Sequence, residues 1–278
     1  MTERPVIGFL TDFGLDGAAA ICRGVMLSIA RDAQIVDISH VVRKYAISDG
    51  AYLLASAVPW LPIGVHVAVV DPGVGTERRP IGVLTNRGDI LIGPDNGLLL
   101  PAAERLGGTS EARLIDNREW LLPATSATFH GRDVFAPVAA HLAIGEAFED
   151  VGPVIAPDDL IRLDIPRASV GHGQLATGVT YVDSFGNVRL AGGVAELAGA
   201  LGPVEPGTTL EIELPPHGTA TTSRIERARF LRTFGKAVQG ELLLYEDSSA
   251  NLAIAESSGD AARRLALGTG ARIGIRRG

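Results

Sequence analysis

The chain has 278 residues, 46% of them hydrophobic and 21% charged. That is too apolar for a disordered polypeptide, and no run of about 18 uncharged apolar residues marks a membrane-spanning helix. Twenty-five basic residues face 32 acidic ones, a formal net charge of −7, which is the wrong sign for generic nucleic-acid binding. Glycine is abundant, with 34 residues, but lacks the every-third-residue period of collagen, so the excess is expected in loops.

Residues 1–5 lead at once into an apolar run, 6–10, read as a buried strand. They show no signal-peptide pattern. A break at 11–14 precedes a helix pattern over 16–31. That pattern contains Cys22, the single cysteine, so no disulfide framework can form within the chain. Together these features predict a cytoplasmic, reducing location. A second strand is predicted over 34–38, a helix over 48–58 stopped by Pro59, and a third buried strand over 66–70 followed by a glycine loop at 72–76. Strands over 81–85 and 90–92 flank 86–89, a hairpin signal. A helix over 97–106, a strand over 112–115 and a helix over 131–144, with His130 at its start, complete the first part. Strands alternating with helices over 1–150 predict an α/β layered domain.

Residues 151–173 hold three prolines without periodicity and read as a linker. Over 174–278 short strands dominate: 174–182, 187–190, 209–214, 242–245, 252–255 and 271–275. These predict a small β domain, a barrel or a sandwich. The run 224–236 carries five basic residues opposed only by Glu226, and reads as a solvated basic face.

Two carboxylates stand at predicted strand ends, Asp12 and Asp71. Ligands of open α/β sheets bind outside the carboxyl ends of strands, and a carboxylate there can take two ribose hydroxyls. The same residues can also simply cap loops through nearby N–H groups. Asp71 and Arg78 are joined across a glycine loop, either as part of a site or as a salt bridge bracing a turn. His130 stands at a helix start, where the dipole favours its neutral form; it can hold a water or cap the helix. In Asp183-Ser184-Phe185-Gly186-Asn187, the amide of Asn187 can pair with an adenine edge and Asp183 can bind an ammonium, or the segment is a plain hairpin turn. There is no P-loop, no Gly-x-Gly-x-x-Gly between strand and helix, and no close histidine pair for a metal.

Six motifs in order carry a resemblance. They are Thr11-Asp12-Phe13-Gly14, Val36-Asp37-Ile38-Ser39-His40, Val70-Asp71-Pro72-Gly73-Val74-Gly75, Gly93-Pro94-Asp95-Asn96-Gly97, Phe129-His130-Gly131-Arg132-Asp133 and Asp183 to Asn187. In this the chain resembles the S-adenosylmethionine hydroxide adenosyltransferases, relatives of the fluorinase and chlorinase enzymes, over about residues 6–275. The resemblance implies an N-terminal α/β/α domain joined to a C-terminal β-barrel. It implies conversion of S-adenosylmethionine and water to adenosine and methionine, with no cofactor and no metal. It also implies a homotrimer with substrate held between neighbouring subunits; the net charge and the lack of a long apolar run predict no nucleic-acid or membrane partner.

The family's catalytic Asp, Arg and His fall on Asp71, Arg78 and His130; Arg79 is adjacent, so the pattern admits either arginine. Its substrate contacts fall on Asp12, Phe13, Asp183, Phe185, Asn187 and Ser248. The last match is looser, since halogenases carry an arginine where this chain has Ser249 and the family commonly has glycine at Ala250. Halogenases also have a tyrosine near Asp71 and a serine near Gly131. The resemblance therefore favours hydrolysis over halogenation. The competing readings are a halogenase and a non-catalytic binder of S-adenosylmethionine or adenosine.

Overall fold

Period-two burial fixes the central sheet. In the third strand Val65, Val67 and Val69 enter one core, while the following Ala68 and Val70 enter another, as a strand covered on both faces requires. The structure, a computed structural model, describes residues 4–124, 126–216, 218 and 221–278. Residues 1–3, read from the sequence as a lead into the first strand, lie outside them. The chain divides into two units, Met1–Leu163 and Asp164–Gly278.

The first unit runs β1 (Val6–Thr11), α1 (Ala18–Ile29), β2 (Gln34–Ser39), α2 (Ile47–Ala57), β3 (Val65–Val69), β4 (Pro80–Thr85), β5 (Ile90–Pro94), α3 (Leu100–Arg105), β6 (Thr109–Leu114), α4 (Ala136–Ala143) and β7 (Val154–Ile155). Its seven-stranded sheet has the order β2-β1-β3-β5-β4-β6-β7. The first four strands in that order are parallel, and β4, β6 and β7 join antiparallel. Helices α1 and α4 cover one face through Cys22, Met26, Val138 and Ala139. Helices α2 and α3 cover the other through Ala51, Leu54, Ala102 and Ala103. The result is the three-layer α/β/α arrangement.

Several elements differ from their sequence reading. The helix expected over 131–144 is a π-helical turn, Gly131–Phe135, followed by α4. The helix expected over 97–106 is confined to Leu100–Arg105, because the Asn96 side chain accepts Leu98 N–H and shapes a turn before it. Helix α2 passes into a 3₁₀ turn, Val58–Trp60, that contains Pro59. Within 151–173, β7 pairs with β6, while a short strand at 169–171 pairs with the first strand of the second unit's barrel.

The second unit runs β8 (Ser169–Gly171), β9 (Gln174–Val182), β10 (Val188–Leu190), α5 (Val194–Leu201), β11 (Thr209–Leu214), β12 (Arg224–Phe230), β13 (Leu242–Glu246), β14 (Leu252–Glu256), α6 (Ala261–Leu265) and β15 (Arg272–Arg277). Strand pairing in the order β9-β10-β14-β13-β12-β11-β15 returns to β9 and closes a seven-stranded barrel. Strand β8 adds to the first half of β9. The core takes Val179, Leu190, Ile212, Phe230, Leu244, Ile254 and Ile275, with Leu197 and Leu265 from the helices. The basic run 224–236 is largely strand β12, not simply a solvated face. Ala228 and Phe230 are buried, and Arg229 pairs with Glu241, Arg227 with Glu211 and Glu226 with Arg264.

Candidate active site

Strands β1 and β3 lie side by side and parallel, so Thr11-Asp12 and Val70-Asp71 leave the sheet at the same edge. From β3 the chain loops through 71–79 into β4. In this loop the Arg78 guanidinium forks onto Asp71, with Nε 3.0 Å from both carboxylate oxygens and Nη2 bonded to Oδ2. Both side chains are nearly buried, at 9% and 5% exposure. The same Nη2 lies 2.9 Å from His130 Nδ1, and the guanidinium sits 5.1 Å from the centre of the Phe135 ring. The structure thus brings Asp71, Arg78 and His130 together. It also separates the two arginines: Arg79 forks onto Asp95 instead.

The loops that carry these groups touch. Gly75 has φ +76°, and a Cβ there would stand 2.4 Å from the Ala127 carbonyl oxygen. Only glycine serves both conditions, and the contact sets the 71–79 loop against the segment leading to His130. Asp133, fully buried, accepts Ser126 N–H at 2.7 Å and the Arg132 fork. Burial alone would raise its pKa, but these bonds hold the carboxyl below its ordinary range.

The arrangement fixes protons. A guanidinium only donates, so His130 Nδ1 accepts from Arg78 and the ring proton sits on Nε2. Burial, and then the Arg78 charge, lower the His130 pKa, against smaller opposing effects of Asp71 and Asp133. The ring is therefore neutral near pH 7 and presents Nε2–H as a donor. Arg78 Nη1 is buried and has no hydrogen-bond partner among the described residues. A buried charged donor left unsatisfied is costly, and a small polar ligand such as water would satisfy it.

The Asp12 loop is held from behind. Thr11 Oγ1 accepts Phe13 N–H at 3.2 Å and bonds His40 Nδ1 at 2.9 Å. His40 Nε2 meets Asp37 Oδ1 at 3.0 Å, and the His40 carbonyl accepts Gly14 N–H at 2.7 Å. Asp12 Oδ2 accepts the N–H of Tyr45, which has the positive φ of +66°. The Phe13 ring meets Phe129 edge-on at 5.8 Å. It also lies over Gly131, where a Cβ would stand 2.7 Å from Phe13 Cζ. Asp12 and Phe13 therefore adjoin the loop that bears His130.

In the barrel unit the remaining predicted residues lie on two matching turns. Asp183 Oδ1 accepts Phe185 N–H and Asn187 N–H at 2.9 and 3.0 Å. Asp247 Oδ1 accepts Ser249 N–H and Asn251 N–H at 2.7 and 3.0 Å. The fourth residue of each turn is left-handed, Gly186 at φ +79° and Ala250 at φ +61°. Arg189 bridges the two, bonded to Asp247 and 3.7 Å from Asp183. Asp183 thus holds its own turn, and its Oδ2 also accepts the Asn187 amide at 2.9 Å. Phe185 is 78% exposed and Ser248 is exposed.

Sequence reasoning gave no role to Thr11, His40, Tyr45, Asp95, Asn96, Asp133 or Phe135. The signal for five of them was present, since Thr11 belongs to the 11–14 motif, His40 to the 36–40 motif, Asp95 and Asn96 to the 93–97 motif, and Asp133 to the 129–133 motif. Among the described residues no group of three His, Cys, Asp or Glu side chains is placed to hold a metal ion, and no helix is long and apolar enough to cross a membrane.

Models of the SAM hydroxide adenosyltransferase N-terminal and C-terminal domains match residues 7–152 and 177–274. An (R)-S-adenosyl-L-methionine hydrolase from Salinispora tropica is 43% identical over 281 residues, covering 100% of both chains. A protein of the same name from Thermus thermophilus is 35% identical, covering 96% of this chain and 97% of its own. A fluorinase from Actinopolyspora mzabensis is 30% identical over 67% of this chain and 71% of its own. Among solved structures, an uncharacterised conserved protein from Thermotoga maritima superposes with TM-score 0.86 at 34% identity, covering 98% of this chain and 100% of that one. With both domain models matched along one α/β unit and one barrel, the chain belongs to the SAM hydroxide adenosyltransferase family.

Proposed function

We propose that the chain hydrolyses S-adenosyl-L-methionine to adenosine and L-methionine, with water displacing the sulfonium at the ribose 5′ carbon. The names of the similar hydrolases extend the reading to the (R) sulfonium epimer as substrate. One observation carries it on the structural side: a nearly buried guanidinium is held between a carboxylate and a neutral imidazole, with one nitrogen left without a hydrogen-bond partner among the described residues.

In the displacement the C5′–O bond forms as the C5′–S bond breaks, methionine leaves as a neutral thioether, and one proton of water is released. Water has a pKa of about 15.7, so the site must favour hydroxide character. Arg78 supplies fixed positive charge beside the developing oxygen anion. His130, with Nδ1 engaged by Arg78, has no free lone pair, so it orients the water through Nε2–H. Asp71 is then the only base of the three. Asp12 is the group suited to the ribose hydroxyls, with Phe13 beside it. The leaving sulfonium supplies the electrophile, so the reaction needs no cofactor. The resemblance further supports a homotrimer in which Asp183, Phe185, Asn187 and Ser248 of one subunit serve the site of the next; light scattering tests the assembly.

The test is incubation with each sulfonium epimer in oxygen-18 water, followed by mass analysis. The expected products are methionine and adenosine labelled at the 5′ hydroxyl, at a rate unchanged by a chelator. Asp71→Asn should lower kcat by about 10²-fold or more, the scale of a lost general base. A 5′-halogenated nucleoside from chloride or fluoride would instead support the halogenase reading. Bound substrate recovered intact would support the binder.

A further inference from the structure

The sheet order places β5 between β3 and β4, while along the chain the 71–79 loop runs from β3 to β4. The carboxyl end of β5 therefore emerges between the two stems of that loop. The next two residues, Asp95 and Asn96, reach one stem each. Asn96 Nδ2 donates to the Val70 carbonyl at 2.9 Å, and its Oδ1 accepts Leu98 N–H at 3.2 Å, so both ends of the amide are engaged. Asp95 is 2% exposed. Its N–H donates to the Arg79 carbonyl at 2.9 Å, and its Oδ2 accepts Arg79 Nε at 2.9 Å and Nη2. Its Oδ1 accepts Ile161 N–H at 3.0 Å.

We propose that Asp95 and Asn96 are positioning residues for the reaction, fixing the backbone at Val70 and Arg79, one residue before Asp71 and one after Arg78. The inference rests on the hydrolase reading for its chemistry. The intervening loop is short of regular structure, and its two stems set where it stands. It contains Gly73 and Gly75, and its own backbone bonds span three residues each, Val74 N–H to Asp71 and Thr76 N–H to Gly73. The Asp71–Arg78 fork and the Arg78–His130 contact depend on where its two stems stand. A displacement of about 1 Å in a reacting group can cost about 10²-fold in rate.

The experiment compares wild type, Asp95→Asn, Asn96→Ala, Arg78→Ala and the Asp95→Asn/Arg78→Ala double variant. Adenosine release and the NMR titration of His130 are followed in each. Asp95→Asn keeps the side-chain shape but removes the charge that holds Arg79. The expected result is kcat lowered 10- to 100-fold in Asp95→Asn and Asn96→Ala, with KM within about threefold. The His130 titration should move up in both, because Arg78 no longer stands at its fixed distance. The double variant should be no slower than Arg78→Ala alone. Wild-type kcat in a folded single variant, a loss that multiplies fully in the double variant, or an unmoved His130 titration would overturn the proposal. Should Asp95→Asn not fold, Asn96→Ala alone decides by the same kcat and NMR criteria. A wild type that releases no adenosine defeats the hydrolase reading, while the His130 titration still decides whether these residues position the loop.

Discussion

At the scale of single residues, the most informative group is His130. Its Nδ1 must be a lone pair to accept from Arg78, so only the neutral ring maintains the site. Burial and the Arg78 charge both disfavour the imidazolium. A lowered pKa means that the working form is present above it and lost as pH falls through it. The acid limb of kcat/KM is therefore expected below about pH 6.5, the ordinary histidine value, with a plateau through neutrality. Asp133 stabilises the imidazolium and so raises the pKa slightly against the main trend. In Asp133→Asn the limb should move further to acid. A pH–rate profile on both proteins checks this; a limb at or above 6.5, or one that rises in the variant, contradicts a neutral Nε2–H ring as the working form.

At the scale of elements, the contact between the Asp12 loop and the π-helical turn decides a second outcome. A side chain at 131 meets Phe13 Cζ at 2.7 Å and Cε2 at 3.2 Å. Gly131→Ser therefore displaces the Phe13 ring before its hydroxyl can serve an anion. We expect hydrolysis to fall at least tenfold with no 5′-chloro or 5′-fluoro product, read by mass analysis in chloride and fluoride. The same elements show what a sequence conveys. Asp12 and Asp71 were legible because each ends an apolar run, and the 86–89 hairpin because its turn residues flank two strands. The π turn was hidden because its apolar spacing looks like ordinary helix. Strand β12 was hidden because its arginines pair with Glu211 and Glu241 from neighbouring segments, partners no local pattern reveals. The choice between Arg78 and Arg79 needed the sheet order, since only the position of β5 shows which arginine Asp95 takes.

At the scale of the whole molecule, the candidate catalytic groups stand at the carboxyl ends of the parallel strands, and a separate buried cluster stands at their amino ends. His66, the second residue of β3, is fully buried and bonds Asp89 Oδ1 through Nε2 at 3.0 Å. Asp89, just before β5, also takes the Arg87 fork, at 2.6 and 2.8 Å. Arg87 in turn donates to the carbonyls of Val58, Pro59 and Leu61. One carboxylate thus ties the end of α2, the start of β3 and the β4–β5 hairpin. Burial alone would raise its pKa, but the bonds from His66 and Arg87 hold it far below the ordinary range. A depressed carboxylate contributes stability above its unfolded pKa, about 3.9, and that contribution is lost as pH falls toward the folded value.

Breaking a buried pair costs about 3–5 kcal/mol, and the partial exposure of Arg87, 28%, points to the lower end. For a unit of this size, Asp89→Asn should then lower Tm at pH 7 by on the order of 10 °C. The gap to wild type should narrow below about pH 4, where the carboxylate of the unfolded chain begins to take up a proton while the native one stays charged. Both tryptophans, Trp60 and Trp120, belong to the first unit, so their emission reports its melting directly. Because the cluster sits at the end of the sheet away from Asp12 and Asp71, kcat at temperatures well below the transition should stay within about twofold of wild type. A variant that melts with wild type, or one that folds fully yet loses turnover, would show that the two ends of the sheet do not divide stability and chemistry in this way.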